Sequence, residues 1–427
     1  LLVVPDAARA ASLYGGAAVA GDYAGRLSDK SERIVLVDAL GREIADFHYA
    51  DDGGWPRAAD GPACAPDPNY PAETCGAGMT LELRHPGLEP DSGGAWVAET
   101  VGGTPGRGRV RPEDDPAPAI YQCGYDPALP APGEAVRFTA RALCPTGVKS
   151  VAVKWRYSDD PVWRTVPLAD DGAGGDEEAG DARWTGFLTD ADRGGTIVWH
   201  CAAESLTGID GVWPRDAPAK LFLLRVDARP FLAQVASRFA YLIMTEEDLG
   251  TLRTRPAGSN QLLPCALLKD GRVYQHGLVR YRGSSARSHD PRSFRIELTH
   301  DETRPEGRVL FFNALEPARQ HLGMATFTLA GVPAPYARFT ALGLNDGFWT
   351  SYVNVERLDG FFLERWFPGD DDGNLYRGVR CTQLADLDYR GEKSAPYECS
   401  YDKVTNRDAA DWSDVIALCR ALNASDE

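Results

Sequence analysis

Arginines cluster around a glycine–serine turn in the second half of the chain. Arg280, Arg282 and Arg287 surround the tripeptide Gly283-Ser284-Ser285. The glycine permits a tight turn, the serines offer hydroxyl and backbone donors, and the arginines supply a positive field. Together these residues predict a site for a phosphate or another polyanion. A basic hairpin at the edge of a sheet is the alternative interpretation of the same residues.

A second group suited to ion binding lies in an acidic, glycine-rich segment. Its carboxylates belong to Asp170, Asp171, Asp176, Glu177, Glu178 and Asp181. Carboxylate oxygens are the hard ligands that Ca²⁺ prefers, although the spacing is not that of an EF-hand. The segment predicts either a solvated turn or a calcium site. The candidate ligands of that site are Asp170, Asp171, Asp176 and Asp181.

The nine cysteines indicate an oxidising compartment. They lack the CxxC pairs and Cys–His spacings of zinc sites, so disulfides are their expected use. Cys64 and Cys75 bracket a proline-rich insert, and Cys381 and Cys399 flank a second loop-like segment. We predict a disulfide in each pair and a location outside the cell, at the cell surface or in the periplasm. The odd count leaves one thiol free or paired outside the chain.

Length and charge limit the classes of function. A chain of 427 residues with 43% hydrophobic residues is long enough for two or three domains. The net charge of −17 argues against nucleic acid as a partner and against docking on anionic membranes. No apolar run is long enough to span a bilayer. We therefore expect a multidomain protein without nucleic-acid binding and without a membrane span in this chain.

Short strands are the elements predicted for the first half of the chain. Arg33–Val37, Ile44–Tyr49 and Met79–Leu83 predict a small all-β domain within residues 1–109. Val110–Pro118 is rich in proline and charge, as a linker would be. A second β domain, residues 110–228, is predicted from five strands at the spacing of a sandwich: Ala135–Ala142, Val151–Tyr157, Trp163–Pro167, Trp184–Leu188 and Thr196–Ala203.

Residues 229–427 mix helical and strand periods, which predicts an α+β domain. Tyr241–Met244 is a predicted strand, and Thr245 begins a predicted helical turn. Ser293–Leu298 alternates apolar and polar residues as a half-buried strand does. Tyr336–Val355 predicts a hairpin around Asn345-Asp346-Gly347. Two amphipathic helices are also predicted, one with Leu322, Ala325, Thr326 and Leu329 on one face and one over Asp408–Leu422.

The two N-terminal domains resemble known β-sandwich modules. The order of Gly21–Tyr49, Trp55–Gly61, Met79–Leu83 and Gly103–Gly106 resembles the later half of the lamin-tail domain. The turns of the second domain, from Pro132-Gly133 to Gly195–Val198, resemble fibronectin type III or related immunoglobulin-like modules of bacterial surface proteins. Both resemblances imply immunoglobulin-like sandwiches that serve as interaction modules.

The third domain resembles the CotH family of spore-coat and surface proteins. Six motifs carry the resemblance in order: Arg282–Ser285, Arg292–Ile296, Gly331–Pro335, Leu344–Trp349, Val355–Asp359 and Gly373–Tyr376. The family implies an atypical protein-kinase fold that phosphorylates secreted or surface proteins with ATP and Mg²⁺ or Mn²⁺. The expected architecture is therefore two immunoglobulin-like sandwiches followed by the N-terminal part of a kinase-like domain.

The resemblance also assigns roles to matching residues. The turn Arg282–Ser285 would lie near the nucleotide phosphates, and the hairpin leading into Glu356 would form the hinge. A structural partnership with an arginine is the alternative role for Glu356. Arg292 stands where family members usually carry lysine, and arginine and lysine are not interchangeable in orienting a nucleotide. The candidate nucleotide-binding residues are Arg282, Gly283, Ser284, Ser285, Arg292 and Glu356.

The catalytic aspartates of a kinase are not recognisable in the sequence. Phosphoryl transfer to a protein needs one aspartate for the acceptor hydroxyl and another for the metal, both after the hinge. Asp370–Asn374 follows the hinge too soon and is better interpreted as a turn. We expect the family's later motifs beyond Glu427 and the start of the first domain before Leu1. Two functions remain open, an exported CotH-like kinase and a non-catalytic surface protein with a degenerate kinase fold.

Overall fold

Strands predominate over helices in the chain, and the helices are short. The computed structural model describes residues 2–13, 18–25, 27–28, 30–59, 79–101, 103–104, 116–229, 239–283, 285–302, 307–379, 381, 384–407 and 409–424. The chain divides into two units. The first contains residues 1–303, 312–315 and 339–352, and the second contains residues 304–311, 316–338 and 353–427. Among the described residues, no helix is long and apolar enough to cross a membrane.

The described residues of the N-terminal region form three two-stranded sheets, one α-helix and two short 3-10 helices. Strand β1 (Leu2–Val4), helix α1 (Ala7–Leu13) and strand β2 (Val19–Asp22) come first, and β1 and β2 pair in parallel. The antiparallel pairs are β3 (Ser31–Val37) with β4 (Glu43–Ala50) and β5 (Met79–Leu83) with β6 (Trp96–Val101). The three predicted strands are confirmed. The immunoglobulin-like sandwich over residues 1–109 stays a prediction.

Two sheets pack around one core in the second region. Their strands are β7 (Ala119–Asp126), β8 (Val136–Leu143), β9 (Val148–Tyr157), β10 (Arg164–Leu168), β11 (Arg183–Leu188), β12 (Gly195–Ser205), β13 (Asp210–Trp213) and β14 (Phe222–Val226). One sheet contains β7, β8 and β11, and the other contains the remaining five strands. Alternation along β8 buries Val136, Phe138 and Ala140, and Trp155 and Trp199 meet them from the other sheet. All five predicted strands are confirmed, although the immunoglobulin-like topology stays a prediction.

Seven strands form a closed barrel in the third region. They are β15 (Ala240–Ile243), β16 (Leu263–Lys269), β17 (Arg272–Tyr281), β18 (Phe294–Glu297), β19 (Val309–Asn313), β20 (Ala337–Leu344) and β21 (Gly347–Val355). The strand order is β15-β16-β17-β18-β19-β21-β20, and parallel pairing of β20 with β15 closes the barrel. Helix α2 (Glu246–Thr254) begins after Thr245, whose side chain accepts the Asp248 N–H. The predicted strand, capped helix and hairpin are confirmed, whereas the kinase fold stays a prediction.

One hydrophobic cluster joins sandwich and barrel strands within the first unit. Val198 and Leu223 of the sandwich pack with Tyr241, Ile243 and Leu268 of the barrel. Sandwich and barrel strands therefore share a core, and this core crosses the predicted domain boundary between residues 228 and 229.

The described part of the second unit contains four α-helices and a two-stranded antiparallel sheet. They are helix α3 (Pro317–Leu329), helix α4 (Gly360–Trp366), strand β22 (Tyr376–Gly378), helix α5 (Ala395–Glu398), strand β23 (Tyr401–Lys403) and helix α6 (Ser413–Leu422). The apolar face predicted for α3 is exposed, with Leu329 88% exposed, so its periodicity does not mark burial here. Helix α6 is confirmed as amphipathic, because Val415, Ile416 and Cys419 are buried against Tyr397 and Tyr401.

The cysteines divide into a bonded pair and free thiols. Cys381 and Cys399 lie in a disulfide-capable arrangement with a Cα–Cα distance of 5.8 Å, as that predicted pair requires. Cys64 and Cys75 lie outside the described residues. The free cysteines of the described part are Cys123, Cys144, Cys201, Cys265 and Cys419. Several of the nine cysteines are therefore core residues, and the cysteine count overstates the number of disulfides.

Peptide mapping of the non-reduced protein tests both predicted pairs. We expect one linked fragment to contain Cys381 and Cys399 and another to contain Cys64 and Cys75, because closing a short loop restricts the unfolded chain. Reduction before alkylation is the control and should release both pairs. Alkylation of Cys64 and Cys75 without reduction would contradict the predicted Cys64–Cys75 pair. It would leave the predicted Cys381–Cys399 pair unaffected.

Candidate functional site

The hairpin of β17 and β18 carries arginines on one face and apolar side chains on the other. Val279 and Tyr281 face Ile296 and Phe294 across the strands, and all four are buried. Arg280 pairs directly with Arg295 on the opposite face. Like charges directly opposite each other on a sheet are destabilising, so this pairing indicates a surface that gains from an anion.

Arg282 extends the positive face beyond the end of β17. Its backbone N–H donates to the Ser293 carbonyl over 2.9 Å, and its guanidinium donates to the Asn313 carboxamide oxygen. Burial lowers the pKa of Arg282 to about 10, with further lowering by the nearby charges of Arg280 and Arg295. The Arg295 guanidinium also pairs with the Glu297 carboxylate over 2.9 Å. A bound anion would raise the pKa of Arg282 again.

The backbone conformation of Gly283 and the hydrogen bonds of Arg287 fix the turn after Arg282. Gly283 has a φ of +98°, and a Cβ there would lie 2.9 Å from the Ala286 Cβ. Arg287 donates to the carbonyls of Gly258 and Ser259 over 2.8 and 3.1 Å, which attaches the turn to the loop after α2. Ser284 lies outside the described residues, and the side chain of Ser285 is likewise not described.

A cavity of ≈ 220 Å³ lies beside the apolar face of the same hairpin. Its lining consists of Arg253, Tyr281, Asp290, Arg292, Phe294, Leu344 and Tyr352. The Arg292 guanidinium stacks over the Tyr281 ring at 4.6 Å, and its Nη1 is buried without a hydrogen-bond partner. The Tyr352 hydroxyl donates to the Arg292 carbonyl over 2.7 Å. Aromatic contact and this hydrogen bond hold Arg292 at the cavity wall.

Two polar residues of this cavity were missed by sequence reasoning. Arg253, in the last turn of α2, pairs with Asp346 over 2.6 Å, and Asp290 precedes Pro291 in the connection to β18. Neither belongs to one of the six motifs. The Asn345-Asp346-Gly347 turn was a recognisable signal for the hairpin, but its contact with Arg253 is long-range and leaves no local pattern.

Glu356 belongs to the second unit, where it is held by an arginine. Both of its carboxylate oxygens accept hydrogen bonds from the Arg365 guanidinium, and Oε2 also accepts the Tyr336 N–H over 3.1 Å. Its side chain is only 2% exposed. The arginine partnership left open by the sequence is therefore present, and the nucleotide role of Glu356 stays a prediction.

The fold brings together some of the carboxylates in the acidic segment of the sandwich. Carboxylate oxygens of Asp170, Asp176 and Asp181 lie within 4.8 Å of one another. Asp171 is outside this group, and its Oδ1 accepts the Ala173 N–H over 3.0 Å. Three of the four predicted calcium ligands thus form a cluster with the geometry of a candidate metal site.

Comparison with known families supports the resemblance for the last third of the chain. Residues 279–427 match the family described as CotH kinase protein. This segment includes all six motifs, the end of β17 with strand β18, and Glu356. The chain therefore contains a CotH kinase family domain there. No curated protein matches the chain significantly.

Proposed function

We propose that the CotH domain binds the phosphates of ATP beside Arg292 and serves an atypical protein kinase that phosphorylates secreted or surface proteins. The observation that carries the proposal is the position of Arg292, whose side chain lines an aromatic cavity and whose buried Nη1 has no hydrogen-bond partner. A guanidinium in this setting forms charge-assisted hydrogen bonds that are stronger than those between neutral groups. A phosphate oxygen is the acceptor that best fits this donor.

Charge distribution supports an anionic ligand. The chain carries a net charge of −17, which repels polyanions from most of its surface. Arg280, Arg282 and Arg295 concentrate positive charge on the other face of the same hairpin, where Glu297 pairs with Arg295. Burial, and then the charges of Arg280 and Arg295, lower the pKa of Arg282. Binding of an anion in this region therefore requires a local site, and the hairpin provides one.

A divalent metal is implied by the family. Asp290 is the one carboxylate among the described residues that line the cavity. Mg²⁺ is commonly held by one or two carboxylates together with substrate phosphates, so Asp290 fits the role of a single protein ligand. A bound Mg²⁺ or Mn²⁺ would neutralise charge on the phosphates. Arg292 and Tyr281 would position the nucleotide, and Asp290 would hold the metal against it.

The N-terminal domains would act as positioning modules. Lamin-tail-like and fibronectin-like domains ahead of a kinase domain suit a protein that is exported and held near its substrate. The Cys381–Cys399 disulfide favours an oxidising compartment, because such bonds are rare in the cytosol.

The alternative function is a non-catalytic surface protein. It is favoured by the single carboxylate at the cavity and by the engagement of Glu356 with Arg365.

We expect the 427-residue chain to bind ATP but not to transfer phosphate. Phosphoryl transfer needs one aspartate for the acceptor hydroxyl and one for the metal, and Asp290 alone supplies a carboxylate from the described cavity lining. Calorimetric titration with ATP and Mg²⁺ should give saturable binding. Incubation with labelled ATP, Mg²⁺ or Mn²⁺ and an acidic protein acceptor should give no labelled protein.

The two measurements separate the possible functions. Absence of ATP binding would favour the non-catalytic surface protein. Label on the acceptor or on the chain, lost in Arg282→Ala but kept in Arg319→Ala, would contradict the second expectation. Arg319 is a suitable control, because it is exposed and pairs only with the exposed Glu316 among described ion pairs. The catalytic aspartates would then be sought among Asp370, Asp371, Asp372, Asp386 and Asp388.

A further inference from the structure

We propose that the loop between β10 and β11 is a Ca²⁺ site whose protein ligands are Asp170, Asp176 and Asp181. The loop belongs to the sandwich of the first unit and lies outside the CotH match. Two interpretations of this segment followed from the sequence, a solvated turn and a calcium site. The burial of one carboxylate decides in favour of the calcium site.

Asp176 is the observation that points to a ligand. The residue is only 7% exposed, although aspartate is rarely buried without a partner. Its Oδ2 accepts the Gly172 N–H over 2.6 Å, whereas its Oδ1 is buried and has no hydrogen-bond partner. A buried carboxylate oxygen that lacks a donor is costly unless a cation or a proton satisfies it. Asp176 also brings a carboxylate oxygen into the cluster with Asp170 and Asp181, which favours a cation.

The other two carboxylates complete a converging set. Oxygens of Asp170, Asp176 and Asp181 lie within 4.8 Å of one another, close enough for one ion with oxygen distances of about 2.3 to 2.6 Å after small adjustments. Among the ion pairs of the described residues, none joins a carboxylate of this loop to a lysine or arginine. The three carboxylates therefore repel one another, and a bound cation would relieve this repulsion.

The backbone of the loop fixes these carboxylates in place. Asp170 accepts the N–H groups of Gly180 and Ala182 over 2.6 and 3.0 Å, and Asp181 accepts the Arg183 N–H over 2.8 Å. Each carboxylate oxygen retains a further lone pair after accepting one such bond. Gly172 and Gly180 have φ values of +70° and +79°, which lets the loop curl around the cluster.

The ligand chemistry selects calcium. The cluster contains oxygen ligands only, without the histidine or cysteine that zinc and copper prefer. Ca²⁺ accepts six to eight oxygens in flexible geometry, whereas Mg²⁺ demands a near-ideal octahedron. Loop carbonyls and water can fill the remaining positions around three carboxylates. A calcium ion would tie β10 to β11 and stiffen this end of the sandwich.

Calcium titration of the chelator-treated 427-residue chain tests the site, without nucleotide present. We expect saturable heat with a Kd on the order of 10⁻⁴ to 10⁻³ M, the range of extracellular calcium modules. We also expect a higher Tm in about 10 mM Ca²⁺ than in equal Mg²⁺, because a ligand of the folded state stabilises it. Asp181→Asn and Asp176→Asn should each weaken calcium binding at least about tenfold.

Glu177→Gln is the matched control, because Glu177 is an exposed acid of the same loop outside the cluster. It should keep the calcium affinity within about twofold. Equal losses in Glu177→Gln and Asp181→Asn would reduce the effect to general charge and overturn the site. Absent calcium heat in the wild type, or equal stabilisation by Mg²⁺, would also overturn it. Asp181 is exposed, so Asp181→Asn remains informative even where Asp176→Asn fails to fold.

Discussion

Replacing Arg292 with alanine is expected to lower the affinity of the chain for ATP about ten- to hundredfold, or roughly 1.5 to 3 kcal/mol, the range of hydrogen bonds to charged groups. The substitution removes the one guanidinium whose buried Nη1 has no protein partner at the cavity. Calorimetric titration with ATP and Mg²⁺ measures the change. Arg282→Ala is expected to have a smaller effect, because Arg282 already donates to Asn313.

Two further variants define what Arg292 contributes. Arg292→Lys keeps the charge and restores the residue type usual in the family, but it loses the planar donor fork and the stacking on Tyr281. We expect it to bind ATP more tightly than Arg292→Ala and less tightly than the wild type. Arg319→Ala removes the same charge from an exposed site and should leave the affinity unchanged. Wild-type affinity in Arg292→Ala, with an unaltered Tm, would restore the sheet-edge interpretation of this hairpin.

Removing the partner of Glu356 is expected to destabilise the second unit by about 2 to 3 kcal/mol. Breaking a fully buried ion pair costs roughly 3 to 5 kcal/mol because the remaining charge is left without a partner. Arg365 is 40% exposed, which reduces this cost. In Arg365→Ala the Glu356 carboxylate would keep the Tyr336 N–H but lose both guanidinium bonds. Denaturant unfolding of the variant and the wild type measures the difference.

A double-mutant cycle with Glu356→Gln isolates the pair from other effects of Arg365. That arginine also donates to the Ala334 carbonyl over 3.1 Å and stacks on Trp366, so its loss includes more than one contact. Coupling of at least about 1 kcal/mol between the two substitutions is expected. Glu356→Gln should leave ATP affinity within about twofold. A large loss of affinity in that variant would instead assign Glu356 to the nucleotide, as the family resemblance implies.

Local chemistry determined much of the strand and helix pattern. Alternation of apolar residues predicted β18, because residues two apart on a strand face the same side. The spacing of short strands predicted β8 and β9. The turn Asn345-Asp346-Gly347 predicted the hairpin of β20 and β21, and Thr245 predicted the start of α2. The ordered motifs after Arg282 identified the CotH segment. These features depend on residues close together in the sequence, which is why the sequence sufficed.

Tertiary structure decided which of these residues interact and which are free to bind. The periodicity of α3 placed Leu322 and Leu329 on one face, and both are exposed, because no pattern within a helix shows what packs against it. The partnership of Glu356 with Arg365, the unpartnered Nη1 of Arg292 and the burial of Asp176 depend on contacts between separate elements. Residue types thus determined which chemistry was available to this protein. Burial and long-range contacts decided where it is available, because they set which donors, acceptors and charges remain unsatisfied by the protein itself.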